Sequence, residues 1–375
     1  MSTANPLKKL GEFGQSIWFD NIHRDMLRAG LLAEMIERDG LKGVTSNPTI
    51  FEKAITGSAA YDEAIASAVR ANPSWDSEAL FNHLAVEDIR AGADELRGVH
   101  EASAGRDGFI SIEVSPRLAR DAAGTVAEGL RLHAWIDRPN VMIKVPATTE
   151  GLEAIEALTR EGISVNVTLL FAVSRYEEVV EAWLRGLEAR HAAGKPLAHI
   201  ASVASFFVSR VDSAVDKALD ELGVQDFQGR AAIANARAAY RHFQQAFSGE
   251  RWEALEAAGA QLQRLLWAST GTKNPAYSDV LYVEELIGEH TVNTVPPATY
   301  EAYRDHGEPA ARLAEDLDEP ARILATLRGY GVDLAAITET LERDGIQAFV
   351  DSYDNLLRAL EDKAARLLSD RQAAG

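Results

Sequence analysis

Lys144 is the residue whose type and neighbours most directly suggest covalent chemistry, because it interrupts the largely apolar run 140–146 (NVMIKVP). Lysine is seldom fully buried, since removal from water disfavours the charged form. A lysine amine that has lost its proton is a nucleophile for carbonyl carbons. Position alone leaves three roles open for Lys144: a Schiff-base nucleophile, a structural ion pair with Glu113 or Asp20, or a contact to a phosphate.

Polar side chains also end or interrupt most of the other short apolar runs. Asp20 and Glu113 are carboxylates that could move the protons of Schiff-base aldol chemistry. Any one such residue could be a satisfied core hydrogen bond or a helix cap, because buried polar groups must be paired. Their recurrence on nearly every run favours a shared site. The set is Asp20, Asn47, Glu113, Lys144, Asn166, Thr168, Ser205, Ser269, Thr270 and Asn293.

Two cations follow the sixth and seventh apolar runs. Arg210 comes shortly after 200–207, and Lys273 follows 264–270. In barrel enzymes, phosphate sites commonly lie near the last strands, so these residues could bind a phosphate. Each could equally be a solvated surface charge.

The elements that must position these residues alternate regularly along the chain. Eight runs of strand length are separated by stretches with helical spacing, and most of the runs are apolar on both faces, as in a covered parallel sheet. The alternation predicts an α/β fold, a closed (β/α)8 TIM barrel, with an open doubly wound sheet as the alternative. No GxGxxG or GxxxxGK[ST] motif supports that alternative. The runs are 16–20, 43–47, 108–114, 140–146, 164–171, 200–207, 264–270 and 290–296.

The rest of the chain predicts additions to one barrel domain spanning 1–375, with 1–15 as an N-terminal tail. The long intervals 48–107 and 208–263 would hold extra helices, and the chain is helix-rich beyond Pro296, including a helical C-terminal segment. Predicted helices include 24–38, 310–327, 334–343 and 349–368. Apolar residues of the last segment could pack on the barrel or form a homodimer. They are Leu356, Leu357, Leu360 and Leu367.

Composition excludes several classes of function. The net charge of −19 disfavours nucleic-acid and anionic membrane partners. No cysteine is present, which excludes thiolate catalysis, Cys-ligated zinc and iron–sulfur clusters. The nine histidines form no HxH or HExxH pair, so a zinc-dependent aldolase is disfavoured and no metal is expected. The N-terminus lacks an apolar signal segment, which predicts a cytoplasmic protein.

Four segments resemble the transaldolases of the pentose phosphate pathway. The segment 43–51 (GVTSNPTIF) resembles the family's TSNP segment on strand two, and 141–148 (VMIKVPAT) resembles its Schiff-base lysine strand. The segments 166–171 (NVTLLF) and 202–212 (SVASFFVSRVD) are similar to its NxTLLF and SxFxxR strands. The resemblance runs through all eight predicted strands, from Ser16 to His306.

The resemblance implies a role for each matching position. Lys144 would be the Schiff-base nucleophile, and Asp20 would be the acid/base for C–C bond cleavage and formation. Glu113, with Thr168, would position and activate the water of imine formation and hydrolysis. The residues that would hold the dihydroxyacetone unit are Asn47, Asn166 and Ser205, and those that would bind the substrate phosphate are Arg210, Ser269 and Lys273.

The chain departs from the family pattern after strand seven. Many members carry an arginine there, whereas this chain has Lys273 in a longer loop, and lysine lacks a bidentate fork. This variant resembles a longer subfamily that is related to transaldolase/phosphoglucose isomerase fusions. Small fructose-6-phosphate aldolases tend to have glutamine and tyrosine where this chain has Glu113 and Phe207. Both residues, with Phe207 in the substrate site, favour transfer over free aldol cleavage.

The resemblance therefore implies transfer of a dihydroxyacetone unit between sugar phosphates, with sedoheptulose 7-phosphate and glyceraldehyde 3-phosphate giving erythrose 4-phosphate and fructose 6-phosphate. No cofactor is expected, because a protonated imine supplies the electrophile. Two other classes stay as alternatives. One is a phosphosugar isomerase with Glu113 as base and Lys144 as an electrostatic group. The other is a non-catalytic sugar-phosphate-binding barrel.

Overall fold

Eight parallel strands form the centre of the molecule and close into a barrel in chain order. This computed structural model describes residues 5–316 and 318–374. The closed barrel with flanking helices confirms the predicted (β/α)8 fold with extra helices. The strands are β1 (Gln15–Phe19), β2 (Gly43–Val44), β3 (Phe109–Glu113), β4 (Val141–Pro146), β5 (Val165–Leu170), β6 (Ser202–Phe207), β7 (Gln263–Ala268) and β8 (Thr291–Val295).

The strand register brings the predicted polar residues to one level of the barrel. Glu113 of β3 lies beside Lys144 of β4, and Lys144 lies beside Asn166 of β5. Strand residues are buried because side chains fill the barrel interior while helices cover the outside. A residue that interrupts an apolar strand here therefore has no route to bulk water except the barrel mouth.

Helices surround the barrel and fill the two long intervals, as the sequence predicts. Single 3₁₀ turns lie at Leu10–Phe13, Ala59–Tyr61 and Pro116–Leu118. The α-helices are α1 (Pro6–Lys9), α2 (Arg24–Arg28), α3 (Leu31–Asp39), α4 (Pro48–Gly57), α5 (Asp62–Ala71), α6 (Ser77–Ala102), α7 (Ala122–Ile136), α8 (Thr149–Glu161), α9 (Val173–Ala192), α10 (Ser209–Leu222), α11 (Ala231–Ala246), α12 (Glu250–Ala257), α13 (Leu281–Glu285), α14 (Pro297–His306), α15 (Glu319–Gly329) and α16 (Leu334–Ala374).

Two helix predictions differ from the structure, one because of a local backbone conformation and the other where a long-range hydrogen bond is made. The predicted helix 24–38 is two helices, since Gly30 adopts a left-handed conformation with φ 69° between α2 and α3. The predicted helix 310–327 begins only at Glu319. Before it, the backbone amide of Leu313 bonds to the carbonyl of Ile287 instead of continuing a helix. Leu317, within that predicted helix, lies outside the described residues.

The C-terminal segment is one continuous helix, α16, rather than the two predicted helices. Gly345 lies at the predicted break, but it serves close packing: a Cβ there would stand 3.1 Å from Cδ2 of Leu169. Leu356, Leu357 and Leu360 are buried, because α16 packs on α4, α5, α6 and α10. These leucines therefore pack on the barrel within the chain, and the homodimer stays a prediction.

The N-terminal segment is folded where it is described. Residues 1–4 of the predicted tail lie outside the described residues, whereas Pro6–Lys9 forms α1 and both Leu7 and Leu10 are buried. The described part of 1–15 therefore packs against the barrel instead of extending as a tail. In the part of the chain that the structure describes, the helices lack the combination of length and apolar character that a bilayer crossing requires.

Candidate active site

A cavity of about 670 Å³ opens at the carboxyl ends of the strands. It contains most of the predicted site residues. Two others lie beside residues that line it, since Glu113 approaches Lys144 and Asn166 contacts Ser205, whereas Thr270 and Asn293 do not line the cavity and bond to each other. The predicted residues that line it are Asp20, Asn47, Lys144, Thr168, Ser205, Phe207, Arg210, Ser269 and Lys273. The structure therefore brings every residue to which the resemblance gives a role together at one end of the barrel.

Lys144 is buried at the bottom of this cavity. Its Nζ donates a hydrogen bond to the carbonyl oxygen of Ser46 at 3.0 Å. The nearest carboxylate oxygen is Oε2 of Glu113 at 3.6 Å, and both side chains are only 6% exposed. The two groups attract each other through space but do not form a close ion pair. The amine therefore keeps hydrogen-bonding capacity for a group that enters the cavity.

Glu113 is a buried carboxyl whose acidity is changed by its surroundings. Burial raises its pKa to about 7, although the nearby charge of Lys144 opposes that rise. Its Oε2 has no hydrogen-bond partner within the described residues, and neither has Oγ1 of Thr168. Buried oxygens without partners are costly, so their presence at one site indicates a place for a ligand or a water molecule.

Asp20 is held by a short chain of hydroxyl groups. Oγ1 of Thr45 donates to Oδ1 of Asp20 at 2.7 Å, and Oγ1 of Thr294 lies 2.6 Å from Oγ1 of Thr45. Because a hydroxyl has one hydrogen, Thr294 must donate to Thr45 whenever Thr45 donates to Asp20. Burial raises the pKa of Asp20 against the lowering effects of Lys144 and Thr45. These features suit a carboxyl group that accepts and returns a proton.

Neutral polar groups on β5 and β6 form a second chain. Oγ of Ser205 donates to Oδ1 of Asn166 at 2.6 Å, and Nδ2 of Asn166 donates to Oγ of Ser111 at 3.0 Å. Ser205 has thereby used its only hydrogen, so towards the cavity it can only accept a hydrogen bond. Asn166 acts on the cavity through Ser205.

Asn47 has both a structural and a cavity-facing position. Its Oδ1 caps α4 by accepting the amide of Ile50 at 3.0 Å, as the turn before Pro48 suggests. The side-chain NH₂ group remains available as a donor, and Asn47 lines the cavity.

A cationic region lies where the chain leaves β6 and β7. The guanidinium of Arg210 stacks over the ring of Phe207, 5.4 Å from its centroid, and burial lowers the arginine pKa. Within residues 5–316 and 318–374, neither Arg210 nor Lys273 has an ion-pair partner. Phe349 of α16 also lines the cavity, so the C-terminal helix forms part of its rim. This region can receive an anion.

Sequence analysis missed residues that support the site without carrying charge. Thr45 and Thr294 act on Asp20, and the carbonyl of Ser46 receives the hydrogen bond of Lys144. Thr45 and Ser46 belong to the TSNP segment, which was a usable signal, whereas Thr294 had none. In the described ranges, no group of three or more His, Asp or Glu side chains could hold a metal ion.

The fold and the site define a (β/α)8-barrel enzyme whose buried lysine and carboxyls can carry Schiff-base chemistry. The sequence profile of the transaldolase/fructose-6-phosphate aldolase family matches residues 17–360, and the chain belongs to this family. Similar curated proteins include a transaldolase from Neisseria gonorrhoeae, 48% identical over 94% of this chain and 99% of that protein. A transaldolase from Thiobacillus denitrificans is 47% identical over 94% of this chain and 99% of that protein. Transaldolase 1 from Streptomyces coelicolor is 48% identical over 96% of this chain and 95% of that protein.

Proposed function

We propose that this chain is a transaldolase that moves a dihydroxyacetone unit from one sugar phosphate to another through a Schiff base on Lys144. The reaction converts sedoheptulose 7-phosphate and glyceraldehyde 3-phosphate into erythrose 4-phosphate and fructose 6-phosphate. The observation that carries the proposal is the loose, buried pair of Lys144 and Glu113, with 3.6 Å between Nζ and Oε2. Family membership and the curated relatives named transaldolase support the same reaction.

The first step is attack of the Lys144 amine on the ketose, with Glu113 beside it. Because burial raises the pKa of Glu113 to about 7, this carboxyl can supply a proton to the carbonyl oxygen near neutral pH. The nitrogen lone pair attacks the ketose carbonyl carbon, and the carbonyl oxygen takes up a proton to give a carbinolamine. Loss of water yields the protonated imine. Glu113 and Thr168, with their unpaired oxygens, would hold the water that leaves here and returns for hydrolysis.

Asp20 performs the proton transfer that accompanies C–C cleavage. Its carboxylate takes the proton of the C4 hydroxyl, the C3–C4 bond breaks, and the electron pair moves to the imine nitrogen to give an enamine. The aldehyde leaves while the three-carbon unit stays bound to Lys144. An acceptor aldehyde then enters, the enamine carbon attacks its carbonyl, and Asp20 returns the proton. The protonated imine is the electron sink, so the chemistry requires no metal or organic cofactor.

The other residues would bind the sugar phosphate at defined points. Ser205, which can only accept, would receive a hydrogen bond from a hydroxyl of the dihydroxyacetone unit, and Asn47 would donate one. Where the chain leaves β6 and β7, the unpaired charges of Arg210 and Lys273, with Ser269, would bind the phosphate. A cytoplasmic site of action is part of the proposal, because phosphorylated sugars are retained on the side of a membrane where they are made.

Trapping the imine tests the proposal directly. Borohydride added with fructose 6-phosphate should reduce the C=N bond, leave a three-carbon adduct on Lys144 in the mass spectrum and abolish transfer. EDTA present throughout should change nothing. An isomerase or a binding protein would give no adduct, and an adduct on another lysine would remove Lys144 from the mechanism.

Lys363 provides a matched control within the same chain. It is also a buried lysine, but its Nζ donates to the carbonyls of Ile55 and Ser58 at 2.9 and 2.7 Å and contacts Asp62 at 2.7 Å. An amine held in this way has no free approach for a carbonyl carbon, so Lys363 should remain unlabelled. Labelling of Lys363 would show that burial alone selects the trapped lysine.

A further inference from the structure

The loop that follows β7 carries two of the proposed phosphate ligands, Ser269 and Lys273, and reaches α13 without a helix or strand between. At its start it is bound to the first residue of α10. The amide of Ser209 donates to the carbonyl of Ser269 at 3.1 Å, and the two hydroxyl oxygens lie 3.0 Å apart. The beginning of the loop is therefore fixed to the helix that carries Arg210.

A second connection to α10 lies further along the loop. The hydroxyl of Tyr277 donates to Oδ2 of Asp216 at 2.8 Å, and Oδ1 of Asp216 accepts the amide of Gly229 at 3.0 Å. Gly229 has φ 71°, and a Cβ there would stand 2.9 Å from Cζ of Tyr277. The tyrosine ring therefore lies directly on this glycine, where only a hydrogen fits.

Lys273 lies midway along the chain between these two connections. Bonds within the loop support this arrangement: Oγ1 of Thr272 donates to the carbonyl of Ser278 at 2.8 Å, and the amide of Tyr277 donates to the carbonyl of Asn274 at 3.1 Å. The Lys273 side chain itself is exposed at the cavity rim. Since a lysine has a flexible stem and no planar fork, its backbone position determines where its charge can act.

We infer that Tyr277, anchored by Asp216, is a positioning residue for phosphate recognition. Its bond to Asp216 fixes the backbone of Lys273 relative to Arg210, because Arg210 and Asp216 both lie on α10. This inference rests on the proposed function, and it adds a determinant of specificity outside the cavity wall. Asp216 and Tyr277 touch neither Lys144 nor the cavity, so they act on substrate only through the loop.

The test is the variant Tyr277→Phe, which keeps the ring on Gly229 and removes only the hydrogen bond to Asp216. The KM for fructose 6-phosphate should rise about fivefold to tenfold, with kcat changing much less, because the lost bond to a carboxylate weakens placement of the phosphate and not the chemistry. The KM for dihydroxyacetone, which has no phosphate, should rise far less. Equal rises for both donors would overturn the inference.

Tyr282→Phe is the matched control. Tyr282 also donates to a carboxylate of α10, Oδ2 of Asp212 at 2.8 Å, but it lies in α13 beyond the loop. Its loss should lower thermal stability at least as much as Tyr277→Phe, since it is the more buried tyrosine, and should leave the KM for fructose 6-phosphate near the wild-type value. A similar rise in KM for Tyr282→Phe would mean that any loosening of α10 has this effect, which contradicts a specific role for Tyr277.

A double-variant cycle identifies the residue through which Tyr277 acts. In the Lys273→Ala background, Tyr277→Phe should raise the KM for fructose 6-phosphate less than about twofold, because the charge that it positions is already absent. Multiplication of the two single effects would overturn the inference. Borohydride trapping separates the two proposals. Absence of a Lys144 adduct in the wild-type enzyme would contradict the proposed function, whereas Tyr277→Phe should still form the adduct whether or not Tyr277 positions Lys273.

Discussion

The two ends of the barrel differ in how closely their buried charges are paired. At the amino end, Arg264 of β7 lies 2.9 Å from Oδ1 of Asp107, and Asp107 also accepts hydrogen bonds from Ser16 and Trp18. At the carboxyl end, Lys144 and Glu113 remain 3.6 Å apart, and an oxygen of Glu113 has no partner among the described residues. The exposed fractions of the side chains are similar in the two pairs, so burial alone does not distinguish Arg264–Asp107 from Lys144–Glu113.

The pKa directions follow from this difference in pairing. Burial on its own would raise the pKa of Asp107, but the Arg264 charge and the hydrogen bonds outweigh burial and hold the pKa below its ordinary value. For Glu113, burial prevails and the pKa rises to about 7. A carboxyl with all its partners stays charged and supports the fold, whereas one with too few partners can exchange a proton near neutral pH.

Removing the cation of the amino-end pair should have the largest effect on stability. Arg264→Met leaves the Asp107 charge buried without its main partner, which should lower the free energy of unfolding by about 3–5 kcal/mol. Urea unfolding measured at pH 7 tests this. Because the pKa of Asp107 lies below 3.8 in the folded protein, the wild-type contribution should persist above about pH 4 and disappear as the pH falls further.

The same variant should leave the chemistry unchanged. Per folded molecule, Arg264→Met should transfer dihydroxyacetone at close to the wild-type rate, since Arg264 lies at the end of the barrel away from the cavity. A large fall in kcat with unchanged stability would reverse the assignment of the two ends.

Glu113→Gln should produce the opposite result at the carboxyl end. Removal of a general acid/base should lower kcat by about 10²-fold or more. The wild-type kcat should rise with pH through about 7 as Glu113 becomes the carboxylate that activates water for imine hydrolysis, and this rise should be absent from the variant. The free energy of unfolding should not fall. Because the pKa of Glu113 is raised in the folded state, the wild-type protein loses stability as the pH rises from 4.5 to about 7, and glutamine, which does not ionise, avoids that loss.

Glu128→Gln is the control for this effect. Burial also raises the pKa of Glu128, but the residue lies on α7 outside the cavity, so its substitution should leave the pH–rate profile unchanged. If both variants kept the same pH dependence as the wild type, Glu113 would have no part in turnover.

The same contrast explains which parts of the site could be predicted from sequence. Lys144 and Glu113 were found because a charged residue in an apolar strand is unusual in any fold, and the strand pattern placed both at one end of a barrel. Thr294 could not be found, because it reaches Thr45 across 249 positions of the chain and its residue type is ordinary in strands. Contacts of this kind depend on barrel register, which no local pattern specifies.

Helix α16 shows the same limit for the fold. Two separate helices, 334–343 and 349–368, were predicted, and Gly345 lies in the gap between them. The structure instead uses that glycine for close approach to Leu169. A glycine needed for packing and one that ends a helix have the same sequence signal, so only the neighbouring element distinguishes them.

Lys273→Ala sharpens the comparison at the rim of the carboxyl end and should have the smallest effect of the three substitutions. The side chain is exposed and unpaired within the described residues, so its loss should leave the free energy of unfolding unchanged within about 0.5 kcal/mol. The KM for fructose 6-phosphate should rise about tenfold through loss of one charge at the phosphate, while the KM for dihydroxyacetone should change much less. Lys217→Ala on α10, a lysine that does not line the cavity, should change neither constant. Equal effects of Lys273→Ala on both donors would remove Lys273 from phosphate binding. Arg210 would then be the cation that distinguishes this wall of the cavity from the closely paired Arg264 and Asp107 at the amino end.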